Sequence, residues 1–355
     1  MSRFEHTFLR LVRGETRGLL GFVGRAGLSA LSLPYAIGVR LRNRKFDRGG
    51  EHVTRVDRPV VSVGNITLGG TGKTPVVEWV ARWYREHGVR VCLLSRGYGQ
   101  SDHLNDEGLL LDQNLPDVPH LQDRDRVALA RIAIDELESD LLILDDGFQH
   151  RMLARDLDLV LLDALNPFGS GRMFPRGMLR EPIRSLSRAS VVILSRADLV
   201  EPERRVEIRR LAERTAGPLC WVEGRQTPIG LVDHEGVDHG LGPLKASRCI
   251  AFCGLGNPEG FRRTLQGLGV DLLDFRSYPD HHVYSRTDLD DLALWAQRQR
   301  PALILTTQKD SVKLRVDQIA EIPLLSLRIA FEPLSGVAEL EQALARLLPS
   351  VGELS

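Results

Sequence analysis

From residue 60 onward, short Leu-, Val- and Ile-rich runs alternate with longer stretches in which apolar residues recur at helical spacing. The runs at 60–63, 91–94, 141–144, 159–162 and 191–194 are too short for helices, and each ends in polar, Gly-containing or acidic residues, so they read as buried strands. A second set at 249–253, 270–275 and 303–306 alternates with helical patterns such as 260–268 and 287–298. Repeated strand–helix units predict an α/β fold with a mostly parallel sheet flanked by helices, and a second, smaller α/β domain. Residues 224–243 are rich in Gly, Pro, Asp and His and read as a connection. The expected division is therefore an N-terminal segment 1–45, a core domain 46–223, a linker 224–245 and a C-terminal domain 246–355.

The first 45 residues follow another pattern. Leu19, Leu20, Phe22, Val23, Leu28, Leu31, Leu33, Ile37, Val39 and Leu41 are interleaved with Arg17, Arg25, Arg40, Arg42, Arg44 and Lys45, without a carboxylate between Glu15 and Asp47. That mixture suits one or two amphipathic helices lying at a membrane surface, with arginines among headgroups and apolar side chains below them. No run of about 18 uninterrupted apolar residues is present, so a transmembrane helix is not expected, and the protein is expected in the cytoplasm.

Charge and cysteine content narrow the picture. Lys plus Arg and Asp plus Glu both number 47, which leaves no global positive field to recruit nucleic acid. The four cysteines form no CxxC pair and sit in or beside apolar runs, so they read as small buried hydrophobes in a reducing compartment.

The strongest chemical signal is Val60-Val-Ser-Val-Gly-Asn-Ile-Thr-Leu-Gly-Gly-Thr-Gly-Lys-Thr74, a strand, a Gly-rich loop and then a helical pattern after Pro75. This is a phosphate-binding loop in its proper context, and it makes the core a P-loop NTPase-type sheet. Thr67, Leu68, Gly69, Gly70, Thr71, Gly72, Lys73 and Thr74 are the candidate ATP-binding residues. The glycines free backbone N–H groups for phosphate oxygens, Lys73 reaches the terminal phosphates, and the Thr74 hydroxyl can take Mg²⁺. Thr67 stands where the GxxxxGK[ST] pattern has its first Gly. Asp145 and Asp146 follow the apolar run 141–144, where an acid normally holds the nucleotide's Mg²⁺, and join Thr74 as metal candidates.

The P-loop Gly69–Pro75, Ser95-Arg-Gly-Tyr-Gly99, Asp145-Asp-Gly-Phe-Gln-His150, Phe174-Pro-Arg-Gly-Met-Leu-Arg-Glu-Pro182, Phe252-Cys-Gly-Leu-Gly-Asn-Pro258, Asp280-His281 and Thr306-Thr-Gln-Lys-Asp310 occur in that order. In this the chain resembles the tetraacyldisaccharide 4′-kinases of lipid A synthesis over nearly its whole length. The resemblance implies transfer of the ATP γ-phosphate to the 4′-hydroxyl of a tetraacyldisaccharide 1-phosphate at the cytoplasmic face of a bacterial inner membrane. It also implies a catalytic carboxylate at Asp106 oriented by His281, and contacts from Arg180 and His150 to phosphate or headgroup. The chain has Asn105 and Gly108 where the family usually has Gly-Asp-Glu-Pro. Two alternative readings keep the nucleotide but drop the kinase: a GTPase-like switch, for which Ser195-Arg-Ala-Asp198 partly matches Asn-Lys-x-Asp, and a nucleotide-regulated membrane adaptor.

Overall fold

The computed structural model describes residues 8, 10–12, 14–16, 18–48, 53–97 and 106–349. Arg17, Tyr98, Gly99 and Asn105 of the motifs above lie outside them. In chain order the elements are helix α1 (Gly18–Asp47), strand β1 (Val60–Asn65), α2 (Lys73–Glu86), β2 (Val91–Ser95), α3 (Asp106–Asn114), β3 (His120–Gln122), α4 (Arg126–Asp135), β4 (Leu141–Asp145) and β5 (Leu157–Asp163). They continue with β6 (Val191–Ser195), α5 (Pro202–Ala216), β7 (Trp221–Val232), β8 (Arg248–Cys253), α6 (Pro258–Gly267) and β9 (Asp271–Ser277). The last are α7 (Arg286–Gln299), β10 (Leu303–Thr307), α8 (Gln308–Leu314), β11 (Gln318–Ile319), β12 (Ile322–Ser335) and α9 (Val337–Ala345). Every strand read from an apolar run is present, to within two residues at each end.

Two compact units share these elements. The larger comprises the described residues within Arg3–Gly99, Asp117–Gln226 and Phe331–Ser355. Its strands run in the order β3-β2-β4-β1-β5-β6-β7, all parallel. β1, β2, β4 and β6 are buried at every residue. Continuous apolar runs suit this arrangement, because helices cover both faces of a parallel sheet. Ile66, Phe148, Val160, Leu162, Leu194 and Ile208 fill one side of its core, and Val60, Leu94, Leu129, Leu142 and Leu153 the other.

The smaller unit takes in the described residues of Gln100–Pro116 and Thr227–Ala330. Here β12-β10-β8-β9 are parallel neighbours, and β11 lies antiparallel to β12. The division is thus not the linear one expected from composition, for three physical reasons. The side-chain amides of Asn114 and Gln308 pair at 2.9 Å and hold α3 against α8. Strand β7 runs through the Gly- and Pro-containing stretch that reads as a linker. Finally, α9 returns to the larger unit, where the buried Tyr84 hydroxyl donates to the Leu344 carbonyl at 3.0 Å.

α1 is one 30-residue helix that includes Pro34. Leu19, Leu20, Phe22, Leu31, Leu33 and Leu41 are all exposed on it. Its C-terminal half is tied to the larger unit, with the Tyr35 hydroxyl donating to the Arg180 carbonyl and Asn43 Nδ2 to Glu181. By length and composition α1 reaches the range of a membrane span, with mean hydropathy 1.2 in its most apolar window. It reaches that range without an uninterrupted apolar run, because small residues and single arginines interrupt the helix without removing its apolar average. All four cysteines are free, and burial pushes the Cys92 and Cys253 thiols up to about 12.

Candidate active site

In the larger unit the Gly-rich loop leaves β1 and enters α2 through Gly72, which has φ 81° and gives the helix no side-chain cap. The first N–H groups of α2 therefore have no intrahelical or capping partner, as an anion-binding helix start requires. Gly69 also has positive φ, at 103°. The loop is braced from below. Asn65 Nδ2 donates to Thr71 Oγ1 at 3.1 Å, and the Ser195 hydroxyl donates to the Thr71 carbonyl at 2.7 Å. From the side, Thr67 bridges Leu179, and Leu68 N donates to the Met178 carbonyl at 2.7 Å. That is how the Phe174–Pro182 motif comes to lie along the phosphate loop.

The acid turn after β4 meets the same loop. Asp146 has φ 52°, a strained conformation for a residue other than Gly. Its carboxylate accepts from Arg180 Nη1 at 2.9 Å on both oxygens and lies 3.4 Å from Lys73 Nζ. Partial desolvation opposes its ionisation, but Lys73 and Arg180 outweigh that and hold the carboxyl below the usual range. Two glycines make the approach possible. A Cβ on Gly64 would lie 2.6 Å from the Phe148 Cβ, and one on Gly147 would lie 2.7 Å from the Ser62 hydroxyl. Arg180 therefore faces Asp146; its neighbour Glu181 is fully buried and pairs with Arg188 and Arg42. His150 sits beside the buried Arg126, Nδ1 to Nη1 3.4 Å, and burial reinforced by Arg126 and Arg155 lowers its pKa to about 4. It is a neutral imidazole at pH 7.

In the smaller unit the Phe252–Pro258, Asp280-His281 and Thr306–Asp310 motifs converge. Asp106 opens α3, and His281 occupies the loop between β9 and α7 in a left-handed conformation with φ 55°. His281 Nδ1 lies 2.9 Å from Asp106 Oδ2. An ionised carboxylate only accepts, so Nδ1 carries the proton. Burial disfavours the Asp106 charge, but His281, then Lys309 and Lys313, hold its pKa below the ordinary value; the same hydrogen bond raises that of His281. The adjacent His282 turns the other way, stacking on Tyr278 at 4.8 Å and reaching Asp288 at 3.2 Å. Gly254 N donates to the fully buried Asp310 at 3.0 Å, and Tyr278 N donates to the Cys253 carbonyl, so the Phe252–Pro258 and Thr306–Asp310 motifs support the His281 loop. Lys309 meets Glu107 at 2.7 Å.

A family model described as tetraacyldisaccharide-1-P 4′-kinase matches residues 25–349. The chain belongs to that family. It is 41% identical over 351 residues to a tetraacyldisaccharide 4′-kinase of Anaeromyxobacter dehalogenans, covering 93% of each chain. With the tetraacyldisaccharide 4′-kinase of Geobacter sulfurreducens it shares 33% identity, covering 96% of this chain and 98% of the relative. Among solved structures, LpxK from Aquifex aeolicus in complex with ATP matches with a TM-score of 0.74 at 28% identity, over 92% of this chain and 99% of that one.

The stretch that partly matches a guanine-binding motif has another occupation. Ser195 braces the P-loop, and Arg196 pairs with Asp163 at 2.5 Å. Sequence reading passed over Gly64, Arg126 and Lys313. Gly64 was legible as a Gly inside a buried strand, a mark of close backbone approach. Lys313 was legible only as the residue one turn beyond Lys309 on α8.

Proposed function

We propose that this chain transfers the γ-phosphate of ATP to the 4′-hydroxyl of a tetraacyldisaccharide 1-phosphate in lipid A biosynthesis. The observation that carries the reading is the Asp106 carboxylate held 2.9 Å from His281 in a chain that also bears the loop Gly69–Thr74. Phosphoryl transfer to an alcohol needs the phosphates cradled and the hydroxyl deprotonated as it attacks. Asp106 takes that proton. His281 holds the carboxylate by Oδ2 and stabilises the charge pattern as the proton moves. Oδ1 accepts from the Glu107 N–H at 3.1 Å, and each oxygen keeps a second lone pair for the substrate.

On the loop, residues Thr67 to Thr74 surround the phosphates, and Lys73 leaves Asp146 to meet the terminal oxygens. Thr74, Asp145 and Asp146 are hard oxygen donors at a phosphate site, a set that fits Mg²⁺ completed by phosphate and water. When bound, the ion neutralises charge on the β- and γ-phosphates. Arg180, a planar donor beside the acid turn, and neutral His150 serve the phosphate or headgroup. The exposed apolar residues of α1, with Arg25 and Arg40 among them, support docking on a membrane surface, and a lipid acceptor used together with ATP supports the cytoplasmic face of the inner membrane as the working site.

The test is product analysis after incubating the protein with ATP and the disaccharide 1-phosphate in micelles. New phosphate at the 4′ position supports the reading. Nucleotide hydrolysis without lipid phosphorylation, or equal use of GTP with no lipid product, moves the GTPase-like switch to the front.

A further inference from the structure

Behind the Asp106–His281 pair lies a second lysine, Lys313, whose field acts on Asp106. Lys313 projects from the end of α8, with its side chain only 9% exposed. Its ammonium lies 3.4 Å from Asp310 Oδ1 and 3.7 Å from Asp106 Oδ2, the same oxygen that meets His281. Among the described residues it makes ion pairs but no hydrogen bond. Asp310 is its anchor. That carboxylate is fully buried and accepts from the Thr307 hydroxyl at 2.6 Å, the Gly254 N–H at 3.0 Å and the Tyr284 hydroxyl at 3.0 Å, which leaves it no freedom to follow the lysine elsewhere. The Tyr284 ring sits 5.8 Å from the ammonium and closes that side.

A lysine buried to this extent carries a desolvation cost that one carboxylate offsets only in part, and placing it between two carboxylates shares its charge. The only requirement of Asp310 is neutralisation. Asp106, by contrast, must stay ionised and correctly turned to accept a proton. We propose that Lys313 is a positioning residue for the phosphoryl transfer: anchored on Asp310, its ammonium fixes the Asp106 carboxylate in register with His281 and keeps it in the ionised form. The proposal rests on the reading of Asp106 as the base. The charged groups around Asp106 are His281, Lys309 and Lys313, with Glu107 on Lys309 and Asp280 beside His281. Of the two lysines, Lys309 is engaged by Glu107 at 2.7 Å, whereas the ion pairs of Lys313 among the described residues are with Asp106 and Asp310.

The experiment compares kcat, KM and the pH profile of lipid phosphorylation for wild type, K313M, K313R, D310N/K313M and D106A. Loss of a cation at this distance raises a carboxyl pKa by about one unit. K313M should therefore shift the acid limb of kcat/KM upward by about that much and lose roughly tenfold in kcat on the acid side, with KM for ATP unchanged. K313R should restore most of the activity. D310N/K313M leaves no buried charge without its partner, so it keeps the test independent of folding, and it should remain impaired with the shifted limb. If the double variant recovers the wild-type profile, Lys313 only neutralises Asp310 and the proposal fails. It also fails if K313M keeps the wild-type kcat and limb. D106A separates the two levels: an active D106A overturns the reading of Asp106 itself, whereas an inactive D106A beside an unchanged K313M overturns only the role of Lys313.

Discussion

Replacing Glu181 by Leu should destabilise the larger unit more than any surface change. Glu181 is fully buried and accepts from Asn43 Nδ2 at 2.8 Å, Arg188 Nη2 at 3.0 Å and Arg42 Nη2 at 3.4 Å. Arg42 is 39% exposed on its side chain and can turn to water, but Arg188, at 19%, cannot. Burial already lowers the Arg188 pKa, and Glu181 offsets only part of that. Removing one partner of a buried pair costs about 3–5 kcal/mol. Arg188 keeps the Phe148 ring face, 4.4 Å from its guanidinium, so the lower end, about 3 kcal/mol, applies. For a unit of this size that corresponds to a fall in Tm of roughly 6–12 °C. Scanning calorimetry of E181L, R188M and E181L/R188M measures it. The double variant should recover much of the loss, since an apolar replacement of a buried pair is often near neutral. Hydrogen exchange should also quicken in the C-terminal half of α1, which loses its Asn43 contact. A Tm for E181L within about 2 °C of wild type, or a double variant no better than the single, would refute the reasoning.

Three further outcomes follow from the same geometry. The lowered pKa of Asp106 gives stability that is present above the ordinary carboxylate range and lost as pH falls through the lowered value; the raised pKa of His281 gives stability that is present below the ordinary imidazole value and lost as pH rises through the raised one. The denaturation midpoint of H281A should therefore trail wild type most between those ranges and converge with it toward alkaline pH; a constant gap at all pH values contradicts the pairing. G64A forces a methyl group into Phe148 and should cost about 1–3 kcal/mol while weakening ATP binding by displacing the acid turn, as read by calorimetry and nucleotide titration. L20D/F22D on the exposed face of α1 should lower sedimentation with anionic vesicles and leave Tm unchanged; undiminished vesicle binding removes α1 from the membrane account.

Most strands were readable because their central residues form an apolar run, as parallel strands covered on both faces do; β9, at the end of the strand order and only partly buried, was read from Leu272, Leu273 and Phe275 between its polar residues. β7 was not. Its Gly224, Pro228 and Gly230 read as loop residues, yet Gly224 is required where a Cβ would meet the Phe331 ring at 2.1 Å. β12 hid for a similar reason, because Pro323 and Pro333 punctuate it. No local signal told that α3 leaves the larger unit after β2 and returns at residue 117, since that excursion is decided by packing such as Asn114 against Gln308. The phosphate loop and acid turn were legible from spacing alone. Asp106 was not: it stands in a polar loop sequence, and only the resemblance pointed to it. His281 and His282 are alike in sequence, and the choice between them is made by Tyr278, which stacks on His282, and by the left-handed backbone that turns His281 toward Asp106.

The most direct test of the account is transfer of labelled γ-phosphate from ATP to tetraacyldisaccharide 1-phosphate in detergent micelles, with wild type and D106A side by side. The account predicts labelled lipid from wild type, and a kcat reduced by roughly 10²–10⁴ in D106A with ATP binding intact. Lipid labelling by D106A within a few-fold of wild type would contradict it.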